Sequence, residues 1–246
     1  MNVSLYQAAS AMTANSRWQD IVSQNLASSS ISGFKKQELS FSAVEAGLMP
    51  ASAPGIQHMS MPRATATTNF QSGELRPSDS MTDFGLQGSG FFEVQLPNKS
   101  SAYTRNGEFK ISPLGQLVTK QGYPVLGEKG PIQRNLANPE PLTISSAGEV
   151  RQGAEVKDTL KLTDFKDPKL LTQLSGGLFV ANDPTLIPIP ATGASVHQHT
   201  LEESNVSPMS EMASLMSSMR TFEANQRIIQ IQDDRMGKAI AQIAGS

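Results

Sequence analysis

The sequence predicts an α+β protein in which long N- and C-terminal helices pair as a coiled coil and a central all-β domain of short strands lies between them. Apolar residues recur at seven-residue intervals through the last forty residues. They recur at three- and four-residue steps through the first segment. Between about residues 70 and 194, short apolar runs alternate with Gly, Pro and Asn, which is typical of strands and turns.

The N-terminal segment, residues 1–47, is predicted to form a helix over residues 3–27 followed by a connector. Its apolar stripe consists of Leu5, Ala8, Met12, Val22 and Leu26. Trp18 and Ile21 lie to one side of that stripe, so this helix is predicted to be apolar over more than one face. In the connector, Gly33 offers the positive φ that a sharp turn needs, and Phe34 is expected to anchor the segment after it.

The middle of the chain is predicted to contain a linker and a β-domain. Residues 48–79 are rich in Pro, Ala, Ser, Thr and Met without a clear period, and we interpret them as a flexible linker. Residues 80–200 are predicted to form about ten short strands in a barrel or sandwich. Asn106-Gly107 predicts a tight hairpin turn, and Arg105 either braces that turn or faces a partner.

Residues 201–246 are predicted to form the C-terminal coiled-coil segment, whose helix begins after Ser207 with Pro208 in its first turn. The seam residues recur every seven positions, with three more on the same face three residues earlier. They are Leu215, Phe222, Ile229, Met236 and Ile243, preceded by Met212, Met219 and Ile240. Gln226 and Asp233 take the remaining seam positions, where polar residues cost stability unless they meet partners or specify a register.

Both terminal helices are expected to carry more apolar surface than one pairing buries. The C-terminal helix could instead pack on the core of its own domain. Against this, it spans about 36 residues where the mean is about 12, and Ile228 and Ile231 lie off the seam. We expect the two helices to pair and to leave outer apolar strips for neighbouring molecules. The predicted assembly interface comprises Leu5, Met12, Trp18, Val22, Leu26, Met212, Leu215, Met219, Phe222, Ile229, Met236, Ile240 and Ile243.

Composition narrows the class of function. A formal net charge of −2 and a pI near 5.9 leave no basic surplus for binding nucleic acid or anionic membranes. The chain has no cysteine, so neither disulfides nor thiolate metal sites can form. Apolar runs fall short of the roughly 18 residues that span a bilayer. The N-terminus lacks the features of a cleavable secretory signal, so we expect cytoplasmic residence or export by another route.

No catalytic, cofactor-binding or metal site is predicted. The GLQGSG stretch at residues 85–90 precedes a strand instead of a helix, so we interpret it as a turn or bulge and not as a phosphate cradle. His197 and His199 are interpreted as an exposed loop pair, since only His58 remains and no third metal ligand is evident. With three histidines, no Ser-His-acid or Cys-His constellation can be assembled, and we expect no enzyme activity.

Several motifs in order along nearly the whole chain are similar to those of one known family. They are IVSQNLA (21–27), SGFK (32–35), QGSGFF (87–92), YTRNG (103–107), LVT (117–119), GYPVLG (122–127), GPI (130–132), LEESNVSP (201–208) and RTFEANQ (220–226). The chain thereby resembles the flagellar rod, hook and basal-body family, most closely its rod members of the FlgF/FlgG type. Residues 28–31 and 82–86 depart from the family's usual pattern. The short length and residues 125–132 favour a proximal rod member over a distal one.

The resemblance implies a structural subunit of the bacterial flagellum, in the basal-body rod where it crosses the periplasm. It implies export through the flagellar type III apparatus without a cleavable signal peptide. It also implies self-assembly with other rod and hook proteins into a helical tube that transmits torque for motility, with terminal helices lining the core. No cofactor, nucleic-acid partner or direct membrane span is implied. The alternatives are a non-flagellar binding or adaptor protein whose β-domain recognises a ligand, and a hydrolase built on a histidine-centred cluster.

Overall fold

The computed structural model describes residues 3–45 and 60–244 of the 246-residue chain. Within those ranges, the side chains of residues 3–8, 41–45, 60–64, 236 and 239–244 are not described. The chain divides into two compact units. The first comprises Met1–Ala27, Gln37–Thr67 and Ser207–Ser246, and the second comprises Ser28–Lys36 and Thr68–Val206.

The first unit is built from the two terminal helices and a two-stranded sheet. Helix α1 spans Val3–Ala27 and helix α2 spans Pro208–Ala244. Strand β1 (Gln37–Glu45) pairs with strand β2 (Ser60–Thr68). Both helices begin where the sequence predicts, and the Glu211 amide donates to the Ser207 carbonyl at 3.0 Å to close the first turn of α2. Neither helix, over the residues described, is apolar enough to cross a membrane.

The linker predicted at residues 48–79 differs from the structure where the chain is described. Strand β2 occupies residues 60–68, and strand β3 (Leu75–Pro77) follows in the second unit. Residues 46–59 lie outside the described part. The sequence of β2, SMPRATATT, lacks a large apolar residue at every second position, so it gives no strand pattern. Its β-branched threonines nevertheless suit a strand, and pairing with β1 satisfies the backbone groups on one of its edges.

The second unit consists mainly of short strands, more numerous than the sequence predicts. After β3 they are β4 (Phe84–Gln87), β5 (Phe91–Gln95), β6 (Ser101–Thr104), β7 (Phe109–Ile111), β8 (Leu117–Thr119), β9 (Leu126–Gly127), β10 (Gly130–Pro131), β11 (Leu142–Ile144), β12 (Glu149–Gln152), β13 (Glu155–Thr159), β14 (Leu162–Phe165), β15 (Thr172–Leu174), β16 (Leu178–Val180), β17 (Pro188–Pro190), β18 (Ser195–Gln198) and β19 (Thr200–Glu202). A 3₁₀ turn at Pro168–Leu170 precedes β15. Strands of two residues, such as β9 and β10, have no apolar run that would reveal them.

Six of these strands form the main sheet, in the order β15-β16-β6-β5-β14-β17, and every pairing in it is antiparallel. Alternate side chains of β5 enter different apolar clusters because successive residues point to opposite faces. Phe91 packs with Tyr103 and Phe179, while Phe92 and Val94 belong to the larger core. Since both faces of β5 are covered, its consecutive residues Phe91 and Phe92 are both apolar and both buried. Smaller antiparallel sheets pair β11-β12-β13, β9-β10, β18-β4, β19-β3 and β7-β8.

The prediction of a hairpin at Asn106-Gly107 is wrong. Strand β6 pairs with β5 and β16, whereas β7 pairs with β8, so the two strands that flank this dipeptide do not pair with each other. The Gly107 carbonyl accepts from the Phe84 amide at 3.0 Å, and a Cβ at Gly107 would overlap the Phe84 carbonyl oxygen. Glycine is required here because two backbones approach closely, and not because a hairpin turn needs positive φ.

The glycine-rich stretch and the histidine pair also have defined places. Gly88 (φ 95°) and Gly90 (φ 117°) make the turn from β4 to β5, which confirms the turn interpretation. His197, predicted in a loop, lies in β18, where its Nε2 is 2.9 Å from Gln87 Oε1. Val196, the only buried residue of that four-residue strand, gives too little apolar pattern to reveal it. His199 is exposed between β18 and β19.

Candidate assembly interface

The terminal helices pack against each other and run antiparallel within the first unit. Asn15 of α1 meets Ser218 of α2, and the later Asn25 meets the earlier Glu211. Asn15 Nδ2 donates to the Ser218 carbonyl at 2.8 Å, and Ser218 Oγ donates to Asn15 Oδ1 at 2.9 Å. Asn15 is 4% exposed and Ser218 is fully buried, so these hydrogen bonds satisfy polar groups that cannot reach water.

A second buried polar contact ties both helices to strand β1. Asn25 Nδ2 donates to Glu211 Oε2 at 3.3 Å and to the Gln37 carbonyl at 2.8 Å. Asn25 Oδ1 accepts from the Gln37 amide at 2.9 Å. The Glu211 carboxylate is buried in the first turn of α2, where the positive end of the helix dipole favours a negative charge. Asn25 thus fixes α1, α2 and β1 at one point.

The least exposed residues of α2 follow alternating steps of four and three. They are Glu211, Leu215, Ser218, Phe222, Asn225, Ile229 and Gln232, and Ser214 beside Leu215 is partly buried as well. The predicted seven-residue repeat through Leu215, Phe222 and Ile229 is present. The inward-facing residues that alternate with this repeat are polar. Each lies one position earlier in the chain than the seam residue predicted there.

The residues that the sequence placed in the alternate seam positions are exposed. Met212 and Met219 are 49% and 52% exposed, and Gln226 and Asp233 are also exposed to solvent. A count of apolar residues in the sequence favours Met212 and Met219 as the residues that face α1. The buried Asn15 and Asn25 of α1 instead need hydrogen-bonding partners, and Ser218 and Glu211 supply them.

The other predicted interface residues fall into two groups. Val22 is buried, and the part-buried ones are Met12, Trp18, Leu26, Leu215, Phe222 and Ile229. Leu5, Met236, Ile240 and Ile243 lie in the helices, but their side chains are outside those described. That any of these residues contacts another molecule stays a prediction.

Exposed apolar surface is concentrated on α2. Its large exposed apolar side chains are Met209, Met212, Met216, Met219, Ile228 and Ile231. Over Ala9–Ala27, the part of α1 whose side chains are described, no large apolar residue is exposed to that degree, and the outer face carries Thr13, Arg17 and Asp20. The outer apolar strip expected on α2 is therefore present. The same expectation is wrong for this part of α1, because Trp18 and Ile21 are partly buried.

The second unit contains a buried ion cluster that sequence reasoning missed. Lys35 Nζ lies 2.5 Å from Glu202 Oε1, and Arg105 Nη1 lies 3.2 Å from Glu202 Oε2. Lys35 also donates to the Gln71 carbonyl at 2.8 Å, and the Gly73 amide donates to Glu202 Oε1 at 2.9 Å. Burial lowers the pKa of Lys35 and of Arg105, and the Glu202 charge opposes that effect on both bases.

Asn205 reinforces the same region of the second unit. Its Oδ1 accepts from the Lys36 amide at 2.7 Å, and its Nδ2 donates to the carbonyls of Asn69 at 2.9 Å and Gln71 at 3.0 Å. Gly33 adopts the predicted positive φ of 67°, and Phe34 is buried as predicted. The three passages of chain at residues 33–36, 69–73 and 202–205 are therefore held together by side-chain contacts.

Arg105 braces a turn, but not the one that the sequence suggested. Its Nη2 donates to the Gly88 carbonyl at 2.7 Å and its Nη1 to the Leu86 carbonyl at 3.3 Å, so it supports the turn between β4 and β5. The guanidinium carbon also lies 5.4 Å from the centre of the Phe91 ring. The individual motifs that contain Lys35, Arg105 and Glu202 are visible in the sequence, but their meeting depends on the fold.

Two family models match parts of the chain that lie in the β-rich second unit and in helix α2. The family "Flagellar hook protein FlgE/F/G D1 domain" matches residues 85–152. The family "Flagellar basal body rod FlgEFG protein C-terminal" matches residues 197–243. The first match covers β-rich chain of the second unit, and the second covers most of α2 together with the strands before it.

Curated relatives match nearly the whole chain. The flagellar basal-body rod protein FlgF of Caulobacter vibrioides is 32% identical, over 91% of this chain and 91% of its own length. FlgG of Borreliella burgdorferi is 30% identical over 96% of both chains. FlgF of Escherichia coli is 29% identical over 97% of both chains. The chain belongs to the FlgF/FlgG family of flagellar basal-body rod proteins.

Proposed function

We propose that this chain, a structural rod subunit by its family and not an enzyme, self-assembles through its terminal helices into a helical tube that transmits torque for motility. One observation carries the proposal. Helix α2 is held to α1 by buried hydrogen bonds on one side and exposes Met209, Met212, Met216 and Met219 on another. Such an apolar surface favours contact with further molecules.

The pairing of α1 with α2 is proposed to be a coiled coil. Alternating steps of four and three along the least exposed residues of α2 support it. Buried polar pairs such as Asn15 with Ser218 are the kind of contact that selects one register in coiled coils. Prepaired helices would leave their outer faces available for assembly.

The proposed assembly interface keeps the residues predicted from the sequence, with different tasks. Val22, Leu215 and Phe222 would stabilise the helix pair within each subunit. Met212 and Met219 would contact neighbouring subunits directly. Leu5, Met236, Ile240 and Ile243 would extend the interface towards the helix ends. In a heterologous contact, one surface of a subunit binds a different surface of the next subunit. Repetition of that contact generates an open helical array if the rotation between successive subunits does not close a ring.

Location, export and partners are inferred from the same family. Relatives named flagellar basal-body rod proteins support a place in the rod where it crosses the periplasm. We propose export through the flagellar type III apparatus without a cleavable signal peptide, and partners among other rod and hook proteins. We propose a proximal position from the short length of the chain and from residues 125–132. The comparisons lend no support to the alternative of a non-flagellar adaptor.

Substitution of Phe222 by Asp tests whether the terminal helices mediate assembly. Phe222 is partly buried on the α1 side of α2, so a carboxylate there would disrupt the helix pair. We expect loss of the variant from isolated basal bodies and loss of swimming. Ser217→Asp, with the same charge at an exposed neighbouring position, serves as the matched control and should assemble.

The β-rich unit provides the folding control for that experiment. Circular dichroism and limited proteolysis of Phe222→Asp should show an unchanged protease-resistant core, which we propose to lie at about residues 80–200. A motile Phe222→Asp strain with normal rods would contradict assembly through the terminal helices.

A further inference from the structure

The first turns of α2 carry four exposed methionines on one face. Met209, Met212, Met216 and Met219 follow the three-four-three spacing of a coiled-coil seam, and they are between 49% and 82% exposed. This methionine strip is about 15 Å long and is rotated away from the face that packs on α1. Methionine side chains are flexible and polarisable, so they adapt well to a contacting surface. Glu223 continues the strip as an exposed acidic residue.

The outer face of α1 has the same spacing and complementary side chains. Its exposed residues at steps of four and three are Ala9, Thr13, Ser16, Asp20, Ser23 and Ala27. Most of them are small, so a second helix can approach this face closely, and large methionine side chains can fill the space between the two backbones. The strip on α2 and the face on α1 therefore match in spacing and in size.

Charges beside these two surfaces select an orientation. On α1, Arg17 precedes Asp20 by three residues, and on α2, Arg220 precedes Glu223 by three. All four are exposed, and none takes part in an ion pair within the described part of a single copy. If helices from two copies run antiparallel, Arg17 faces Glu223 and Asp20 faces Arg220. A parallel arrangement would bring like charges together.

We propose that the methionine strip of one copy docks antiparallel on the outer face of α1 of a second copy, with Arg17–Glu223 and Asp20–Arg220 pairs fixing the register. This inference rests on the proposed function, since it names the partner surface for assembly through the terminal helices. In this register Met216 is level with Gln24 of the second copy, and Ser23, on the outer face of α1, lies one residue away along the helix. Each copy offers both surfaces on different helices, so the contact is heterologous and repeats head to tail, as assembly into a helical array requires.

Cysteine cross-linking tests the contact directly, because the chain has no cysteine of its own. Full-length Ser23→Cys and Met216→Cys chains, tagged differently and expressed together, should form a disulfide-linked dimer in isolated basal bodies after mild oxidation. Ser23→Cys with Ser217→Cys is the matched control, since Ser217 is exposed at the same height on another face of α2. Equal cross-linking in the control, or cross-links only to a different rod protein, would overturn the proposal.

Charge reversal tests the register. Arg17→Glu and Glu223→Arg should each weaken association of the full chain about fivefold per contact, as expected for loss of one exposed ion pair and the added repulsion. The double variant Arg17→Glu/Glu223→Arg restores opposite charges and should recover assembly. Failure of the double variant to recover would overturn this register. If Phe222→Asp still blocks assembly in that case, the proposed function stands while this inference falls.

Discussion

Asn15 and Ser218 exchange two hydrogen bonds between the terminal helices, although 203 residues separate them in the chain. Both residues are buried, and a buried polar pair usually stabilises a helix interface less than an apolar pair of similar size would. What such a pair provides is discrimination, because any other register leaves buried polar atoms without partners. The interface of α1 with α2 is thus organised around polar contacts at least as much as around apolar ones.

Substitution of Asn15 by Ala should destabilise the helix pair more than substitution of Ser218 by Ala. Asn15→Ala removes both hydrogen bonds and leaves the buried Ser218 hydroxyl without its Asn15 partner, at a cost of about 1–3 kcal/mol. Ser218→Ala removes only the hydroxyl bond, because the Asn15 amide donates to the Ser218 backbone. Urea unfolding followed by helical circular dichroism measures both, with exposed Ser217→Ala as the control. A larger effect of Ser218→Ala would contradict this account.

Substitution of Glu202 by Gln should strongly destabilise the β-rich unit. Lys35 and Arg105 would remain buried without the opposite charge, and such a loss costs roughly 3–5 kcal/mol. Its chain neighbour Glu203 makes an exposed ion pair with Arg76 at 3.5 Å, so Glu203→Gln should cost about 1 kcal/mol or less. Chemical denaturation of the two variants side by side makes the comparison. Similar unfolding free energies for both would show that the buried cluster is not needed.

Substitution of Gly107 by Ala should disrupt the contact between this loop and β4. The added methyl group would overlap the Phe84 carbonyl oxygen, so backbone must shift and the hydrogen bond from the Phe84 amide is strained or lost. We expect a cost of about 2 kcal/mol or more, as for other overpacked sites. Gly193→Ala is the control, because a Cβ at Gly193 has no neighbour within 4 Å. The thermal midpoints of the two variants should differ clearly.

Tyr103 should make the protein lose stability at alkaline pH. Burial raises the pKa of the Tyr103 phenol above its usual 10.0, and the negative charge of Glu93 adds to the effect. A raised pKa in the folded state means that this stability is fully present below about pH 10 and is lost as pH rises through the folded-state pKa. Tyr103→Phe should lose less stability than the native chain between neutral pH and about pH 11. Chemical denaturation of both proteins at both pH values measures these losses. Equal losses of unfolding free energy in the native chain and in Tyr103→Phe would contradict this role of Tyr103.

The elements that the sequence predicted well are those whose residues carry a long, regular pattern. Helix α1 was predicted over residues 3–27, and α2 was predicted to begin after Ser207, because helical spacing and start signals are local properties of the chain. The β-rich middle was equally evident from its short apolar runs. Strand β2 and the two-residue strands β9 and β10 were not, since their stability comes from pairing with another strand and leaves little trace in their own residues.

The sequence by itself determined that the chain has two long terminal helices around a β-rich middle, and that it resembles the flagellar rod family, because spacing and motif order are written in consecutive residues. Only the tertiary structure decided which face of α2 meets α1. Apolar counting selected Met212 and Met219, but the buried amides of Asn15 and Asn25 require hydrogen-bonding partners, and Ser218 and Glu211 satisfy them. The same holds for Lys35, Arg105 and Glu202, whose charges can be buried only together.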